Sequence, residues 1–191
     1  MAAPPNKTIK DLGGKWQMNK SQSTPIDPGL ALQGIGWVTR KAITMATVTL
    51  DIKMFEAAPS PPADPAGPAC THVEIAQTIT GGMKGSTEKR CLDYTFREHS
   101  DWLFGRVRGQ SKWISGSEIQ DDFLAKGWLE DEETHILSYV ESLDNGWTAT
   151  QIWGFQMVEG IRKHCRQIVI SKGDEAVEMR LVYDYLGEAD S

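Results

Sequence analysis

The chain has little cysteine, no long apolar run and no excess of positive charge, and each shortage removes a class of function. Its 191 residues include three cysteines, Cys70, Cys91 and Cys165. A low, odd count makes no disulfide framework and fits a reducing compartment. No apolar stretch approaches the roughly 20 residues a membrane helix needs. The opening M-A-A-P-P-N-K-T lacks the apolar core of a secretory signal. The expectation is a cytosolic protein. Lysine and arginine number 20 against 26 aspartate and glutamate, a formal net charge of −6. Such a chain offers no basic field to a nucleic-acid backbone.

Catalytic signatures are missing too. G-x-S-x-G does not occur. Gly81–Thr87 lacks the order of a phosphate loop and joins strand to strand, so it reads as a turn. Cys70/His72 and His164/Cys165 are tempting metal pairs. His164 and Cys165 are adjacent and face opposite ways in a strand, however, and neither C-x-x-C nor H-x-x-x-H spacing is present. No metal, cofactor or catalytic residue is expected.

What is present is β-structure. Period-2 patterning predicts strands near 14–20, 46–55, 72–80, 87–96, 102–113, 135–143, 147–157, 161–171 and 175–186. Glycine-bearing turns such as Asp144-Asn145-Gly146 and Lys172-Gly173-Asp174 separate the last four. The interruptions are few. Asp27-Pro28 starts a short helix stopped at Gly34, and a second helix runs over about 37–43. The Pro-rich stretch 57–69 reads as a loop insertion and 117–127 as an inserted helix. Residues 1–9 read as a flexible tail before one domain over 10–187. Nine or ten one-sided strands in sequential order predict an all-β, up-and-down antiparallel barrel under a helix-turn-helix lid. A barrel of that size encloses a small-molecule cavity.

G-K-W-Q-M-N-K-S near the start, the hairpin ending L-Q-G-I-G-W-V-T-R-K, the strand A-T-V-T-L-D-I and the closing M-R-L-V-Y-D-Y resemble the intracellular lipid-binding proteins. These are the cytosolic fatty-acid-binding and retinoid-binding proteins of the calycin group. The chain is longer than usual members and resembles fungal proteins of this type more than animal carriers. The resemblance implies a lid hinged at Gly34 and Gly36. It also implies a basic portal at Arg40 and Lys41 that can touch membrane surfaces transiently. Fatty-acid binders of this family hold the carboxylate with two inward arginines and a tyrosine. Here Tyr183 falls at the tyrosine, while Leu181 and Trp153 fall at the arginines. Both charges then look absent, which implies a neutral ligand.

The primary expectation is a monomeric carrier of one hydrophobic, neutral lipid or secondary metabolite. Trp16, Met18, Trp37, Gln77 and Val107 are expected to line the cavity. Gln151, Trp153, Leu181 and Tyr183 complete the set. The alternative is a barrel enzyme that folds a polyketide- or terpenoid-type substrate and promotes cyclisation or isomerisation. That alternative predicts a polar cluster inside the barrel, with Gln77, Gln151 and Tyr183 converging. An almost wholly apolar cavity favours the carrier, and a filled interior favours an adaptor role.

Overall fold

The computed structural model describes residues 1–83 and 85–189. Ten strands form one antiparallel sheet that curls into a nearly closed barrel. They are β1 (Gly14–Met18), β2 (Val48–Ala57), β3 (Cys70–Ile79), β4 (Ser86–Cys91) and β5 (Arg97–Asp101), then β6 (Gly105–Ser115), β7 (Thr134–Ser142), β8 (Thr148–Val158), β9 (Ile161–Lys172) and β10 (Glu175–Gly187). The order is β4-β3-β2-β1-β10-β9-β8-β7-β6-β5. The expected all-β barrel is what the chain forms. The expected strand 102–113 begins later, at Gly105 (φ +71°), as β6, and the preceding strand β5, Arg97–Asp101, is not among those expected.

Register decides which residues face inward, since partners across a ladder share a face. On β10 the inward set is Met179, Leu181 and Tyr183, and Tyr183 pairs with His164 of β9. His164 in turn opposes Phe155 of β8, and Arg166 opposes Trp153. With Trp16 of β1 and Ile52 of β2 these side chains pack the lower barrel, where Trp16, Trp153, Phe155 and Ile52 are fully buried.

The two ends are capped differently. Helices α1 (Asp27–Leu32) and α2 (Trp37–Met45) cover the upper end. Gly29 of α1 sits so close to the wall that a Cβ there would lie 2.7 Å from Met179 Sδ and 2.9 Å from Ile170 Cδ1. Arg40 clamps the hairpin, donating to Asp27 Oδ1 at 3.1 Å and to the Ile35 carbonyl at 2.9 Å. The lower end is plugged by the N-terminal residues. The expected loose tail is instead docked: Ala3, Ile9 and Leu12 join the core, and Ala3 N–H donates to the Arg162 carbonyl. Apolar side chains in an otherwise polar segment make this possible.

Of the two other insertions, one differs from expectation. The 117–127 segment is a 3-10 turn, Gly116–Glu118, followed by a four-residue helix α3 (Asp122–Ala125). It packs Leu124 and Phe123 on the outer face of the barrel against Ile114 and Ile152. The Pro-rich loop folds back along the wall, where Arg97 donates to the carbonyls of Ser60 and Pro61. Among the described residues no helix is long and apolar enough to cross a membrane.

Candidate functional site

The ends of the sheet, β4 and β5, do not pair with each other among the described residues. The barrel closes below this seam through an isolated bridge, Asp93 to Lys112, and a hydrogen bond from Tyr94 N–H to the Ser111 carbonyl at 2.8 Å. Above it the gap stays open. A cavity of about 560 Å³ runs from Gln33 under the lid, down the inner wall, and out between the two strands. That volume lies within the range of small-molecule sites. Phe104, Val107, Val140, Trp147 and Ala149 supply an apolar upper wall. A second hollow of about 520 Å³ lies at the top of the same seam, between Gln77, Ser86, His99 and Trp102.

The lower wall of the cavity is charged. β4 pairs with β3 so that Glu88 opposes Ile75 and Arg90 opposes Val73, which turns both charged residues inward. Arg90 donates to Glu88 at 2.7 Å through Nη2. Its Nη1 donates to Ser138 Oγ at 2.7 Å and Ser111 Oγ at 3.4 Å. Behind it lies Arg166, with its guanidinium 3.8 Å from the centre of the Trp153 ring and 5.2 Å from that of Tyr183. Arg90 lies over the same Trp153 ring at 5.3 Å. Among the described residues, Arg90 Nε and Arg166 Nη2 are buried donors without a partner. One carboxylate thus faces two guanidinium groups, and N–H groups remain to be met by an incoming oxygen.

Electrostatics follows from this crowding. Burial alone would raise the Glu88 carboxyl, but Arg90 and Arg166 outweigh it and hold the group below the usual carboxylate range. Burial lowers the Arg166 guanidinium and raises the Tyr183 phenol. Burial, helped by Arg166, pushes His164 down to about 3, so this ring is neutral. A carbonyl only accepts, so His164 Nδ1 donates to the Gly154 oxygen at 3.0 Å. Its Nε2 is then the lone pair that faces Arg166 Nε at 3.5 Å.

The residues singled out from the sequence fall into three groups. Val107 and Gln151 line the cavity, and Gln77 borders the upper hollow. Trp16, Met18, Trp153 and Tyr183 belong to the packed core, and Leu181 packs against it. Gln151 reaches the core too, accepting from Trp153 Nε1 at 3.0 Å. Trp37 is a correction. It is 63 % exposed, because α2 begins at this residue and buries Ile43 instead. Gly34 takes a φ of +86° at the end of α1, whereas Gly36 is extended and has open space around it. Arg40 is committed to the helix hairpin and Lys41 is exposed.

Two sequence-based premises fail. Leu181 and Trp153 do point inward, but the interior is not without arginine: Arg90 and Arg166 enter from β4 and β9. The basis for a neutral ligand goes with that premise. The cysteines fail as well, because Cys70 and Cys91 are joined as a disulfide between β3 and β4. The cysteine count therefore says nothing about a reducing compartment. His72 lies beside this pair, and its ligand atom and the two sulfurs are all within 4.8 Å of one another. Phe104 lines the cavity from the turn before β6. The missed residues carried a signal: counting the register about Gly81-Gly82 from inward Val73 and Ile75 turns Glu88 and Arg90 inward.

No family model matches the chain. Solved structures share the fold at low identity. A structure titled REP1-NXSQ fatty acid transporter has a TM-score of 0.54 at 16% identity, covering 92% of this chain and 96% of its own. The fluorescent protein UnaG, as an N57A mutant, has a TM-score of 0.53 at 13% identity, covering 93% and 97%. Two curated proteins are much nearer in sequence. Pericyclase pydY of an Acremonium species is 32% identical over 189 residues, 98% of each chain. Probable pericyclase scpY of Mollisia scopiformis is 31% identical over 188 residues, 97% of this chain and 95% of its own. Identity of this level from end to end, on a barrel with a charged, cavity-lining wall, places the chain in the family of these pericyclases.

Proposed function

We propose that the protein is an enzyme that folds a conjugated, largely apolar substrate of polyketide or terpenoid type in the seam cavity and promotes a pericyclic ring closure. This is the enzyme alternative raised by the sequence, and two full-length relatives named as pericyclases support it. The observation that carries it is the polar cluster of Arg90, Glu88, Ser111 and Ser138 set into a wall that is apolar above it. A carrier of the fatty-acid type keeps its inward arginines for the ligand's carboxylate, whereas here Glu88 already takes Arg90 Nη2.

A pericyclic ring closure moves electrons around a cyclic array without passing a proton or a group to or from the chain. What the chain can contribute is conformation and field. Phe104, Val107, Val140 and Trp147 would hold the flexible hydrocarbon in a folded shape that brings its reacting carbons together. Burial of that hydrocarbon at roughly 25 cal/mol per Å² supplies the binding free energy. A carbonyl or enolate oxygen conjugated to the reacting system would take the free N–H of Arg90. Charge that grows on this oxygen in the transition state is then stabilised by donors already in place. Gln151 is a neutral donor close by, and Ser111 and Ser138 hold the guanidinium in position.

Ring closure of this kind leaves the mass unchanged and shortens the conjugated system. Deletion of the gene in the producing cells is expected to accumulate a compound of the product's mass with absorbance at longer wavelength. Purified protein added to that extract should convert the compound, and the Arg90→Met variant should do so slowly. Loss of yield with no same-mass precursor, together with intact lipid co-purifying with the protein, would return the carrier reading.

A further inference from the structure

The ring-closure reading makes no use of one cluster at the lower end of the seam. Cys70 and His72 share a face of β3, and Cys91 of β4 is the register partner of His72. The pairing brings together three metal-ligating side chains that sequence spacing keeps apart. His72 and Cys91 are buried and Cys70 is half-buried. Phe55 stacks on the His72 ring at 5.2 Å and 6°, and Nε2–H donates to the Ala58 carbonyl at 2.9 Å, a bond that ligation through Nε2 replaces as the ring proton moves to Nδ1.

We propose that Cys70, His72 and Cys91 form a zinc site when the Cys70–Cys91 bond is reduced. Tetrahedral zinc with bonds of about 2.3 Å to sulfur and about 2.0 Å to nitrogen sets its sulfur and nitrogen ligands about 3.6 Å apart. Cys70 Sγ and His72 Nε2 are 3.7 Å apart already. The sulfurs must part to about 3.8 Å, so opening of the disulfide has to come first. Opening takes two electrons and two protons from a dithiol reductant, which leaves as its own disulfide. Zinc then displaces one proton from each thiol. Two thiolates, a neutral imidazole and a divalent cation carry no net charge, which suits a mostly buried position. The donor set of two sulfurs and one nitrogen also matches borderline-soft zinc rather than magnesium or calcium. The half-buried edge at Cys70 leaves a fourth position for water.

The cluster pins a functional edge in either state. Ala58 starts the Pro-rich loop, whose Pro61 reaches the cavity wall, as does Cys91. The disulfide fastens the root of that loop to β4 under oxidising conditions. Zinc does so under reducing conditions.

The test uses the full chain, reduced with a phosphine that is then removed without oxygen. Cobalt(II) serves as the spectroscopic probe. One equivalent should bind with thiolate-to-cobalt charge-transfer bands and tetrahedral d–d bands, and zinc should displace it. Oxidised protein should show neither band. Cys91→Ser should abolish the thiolate bands while leaving Cys165 present, and His72→Ala should weaken binding at least tenfold. Near-ultraviolet circular dichroism of the tryptophans reports whether the reduced barrel stays folded. The proposal is overturned by a folded, reduced protein without thiolate–cobalt bands. Bands that survive Cys91→Ser, affinity unchanged in His72→Ala, or a barrel that unfolds on reduction would each overturn it too. None of these outcomes depends on the ring-closure chemistry.

Discussion

The wall formed by β8, β9, β10 and β1 and the seam between β4 and β5 are built on opposite plans. Along the wall each strand has a partner on both sides, and β8 and β9 pair continuously from Thr148–Ser171 to Val158–Ile161. Its inner face is filled: Trp16 contacts Phe155, His164 and Tyr185 ring to ring. At the seam two strands lack a common ladder, and the inner face carries Glu88 and Arg90 instead of aromatic rings. Close packing needs side chains delivered from both directions. Where the sheet opens, that supply stops, a cavity remains, and charged groups can stay hydrated through the gap. Rigid packing and the cavity are thereby assigned to different sides of one barrel.

Breaking the wall should have the largest effect. Trp153→Ala removes a fully buried ring and should cost about 3–5 kcal/mol in urea unfolding. Trp37→Ala, on the exposed face of the lid, should stay within about 0.5 kcal/mol. Arg90→Met at the seam should lower kcat/KM for ring closure by roughly a hundredfold, the scale for loss of one preorganised donor. Lys53→Met, on the exposed outer face of β2, should leave it unchanged.

The pH dependence separates the sides again. His164 on the wall has a folded value of about 3 against an ordinary 6.5. Between those values the unfolded chain binds the extra proton, so stability rises with pH across that window and is complete above 6.5. Its contribution has a slope of about 1.4 kcal/mol per pH unit. Urea midpoints at pH 5 and 6.5 should show the slope, and His164→Gln should flatten it. Glu88 at the seam has a depressed value, so its contribution is present above about 4.5 and fades only below that. The smallest effect concerns the lid. Arg40→Ala should cost about 0.5–1 kcal/mol and speed amide exchange over residues 27–45, with the wall strands unchanged.

Much of the architecture was legible in the residues. Alternation in Val177–Tyr185 assigns β10 its inner face, and the fold keeps Met179, Leu181 and Tyr183 there. Gly34 ends a helix as its lack of a Cβ allows. The candidate site was less legible. Val107 and Gln151 were found because each sits in a strand with a clear inner set. Glu88 and Arg90 were missed because S-T-E-K-R alternates polar with polar, and such a strand shows no preferred face. Arg166 was hidden in the same way beside His164 and Cys165. The family's arginine positions fall at 153 and 181, where the barrel places an aromatic ring and a leucine.

The sequence by itself determined the class of fold, the order of strands and the lid, because period-2 patterning and turn residues are local. Only the tertiary structure decided the character of the interior. Charged residues in polar strands turn inward when their ladder partners do, and those partners lie ten or more residues away. The same holds for the cysteines: 21 positions separate Cys70 from Cys91, and the β3–β4 register joins them beside His72. What a side chain can do chemically is set by what faces it, and in a barrel that is a matter of register.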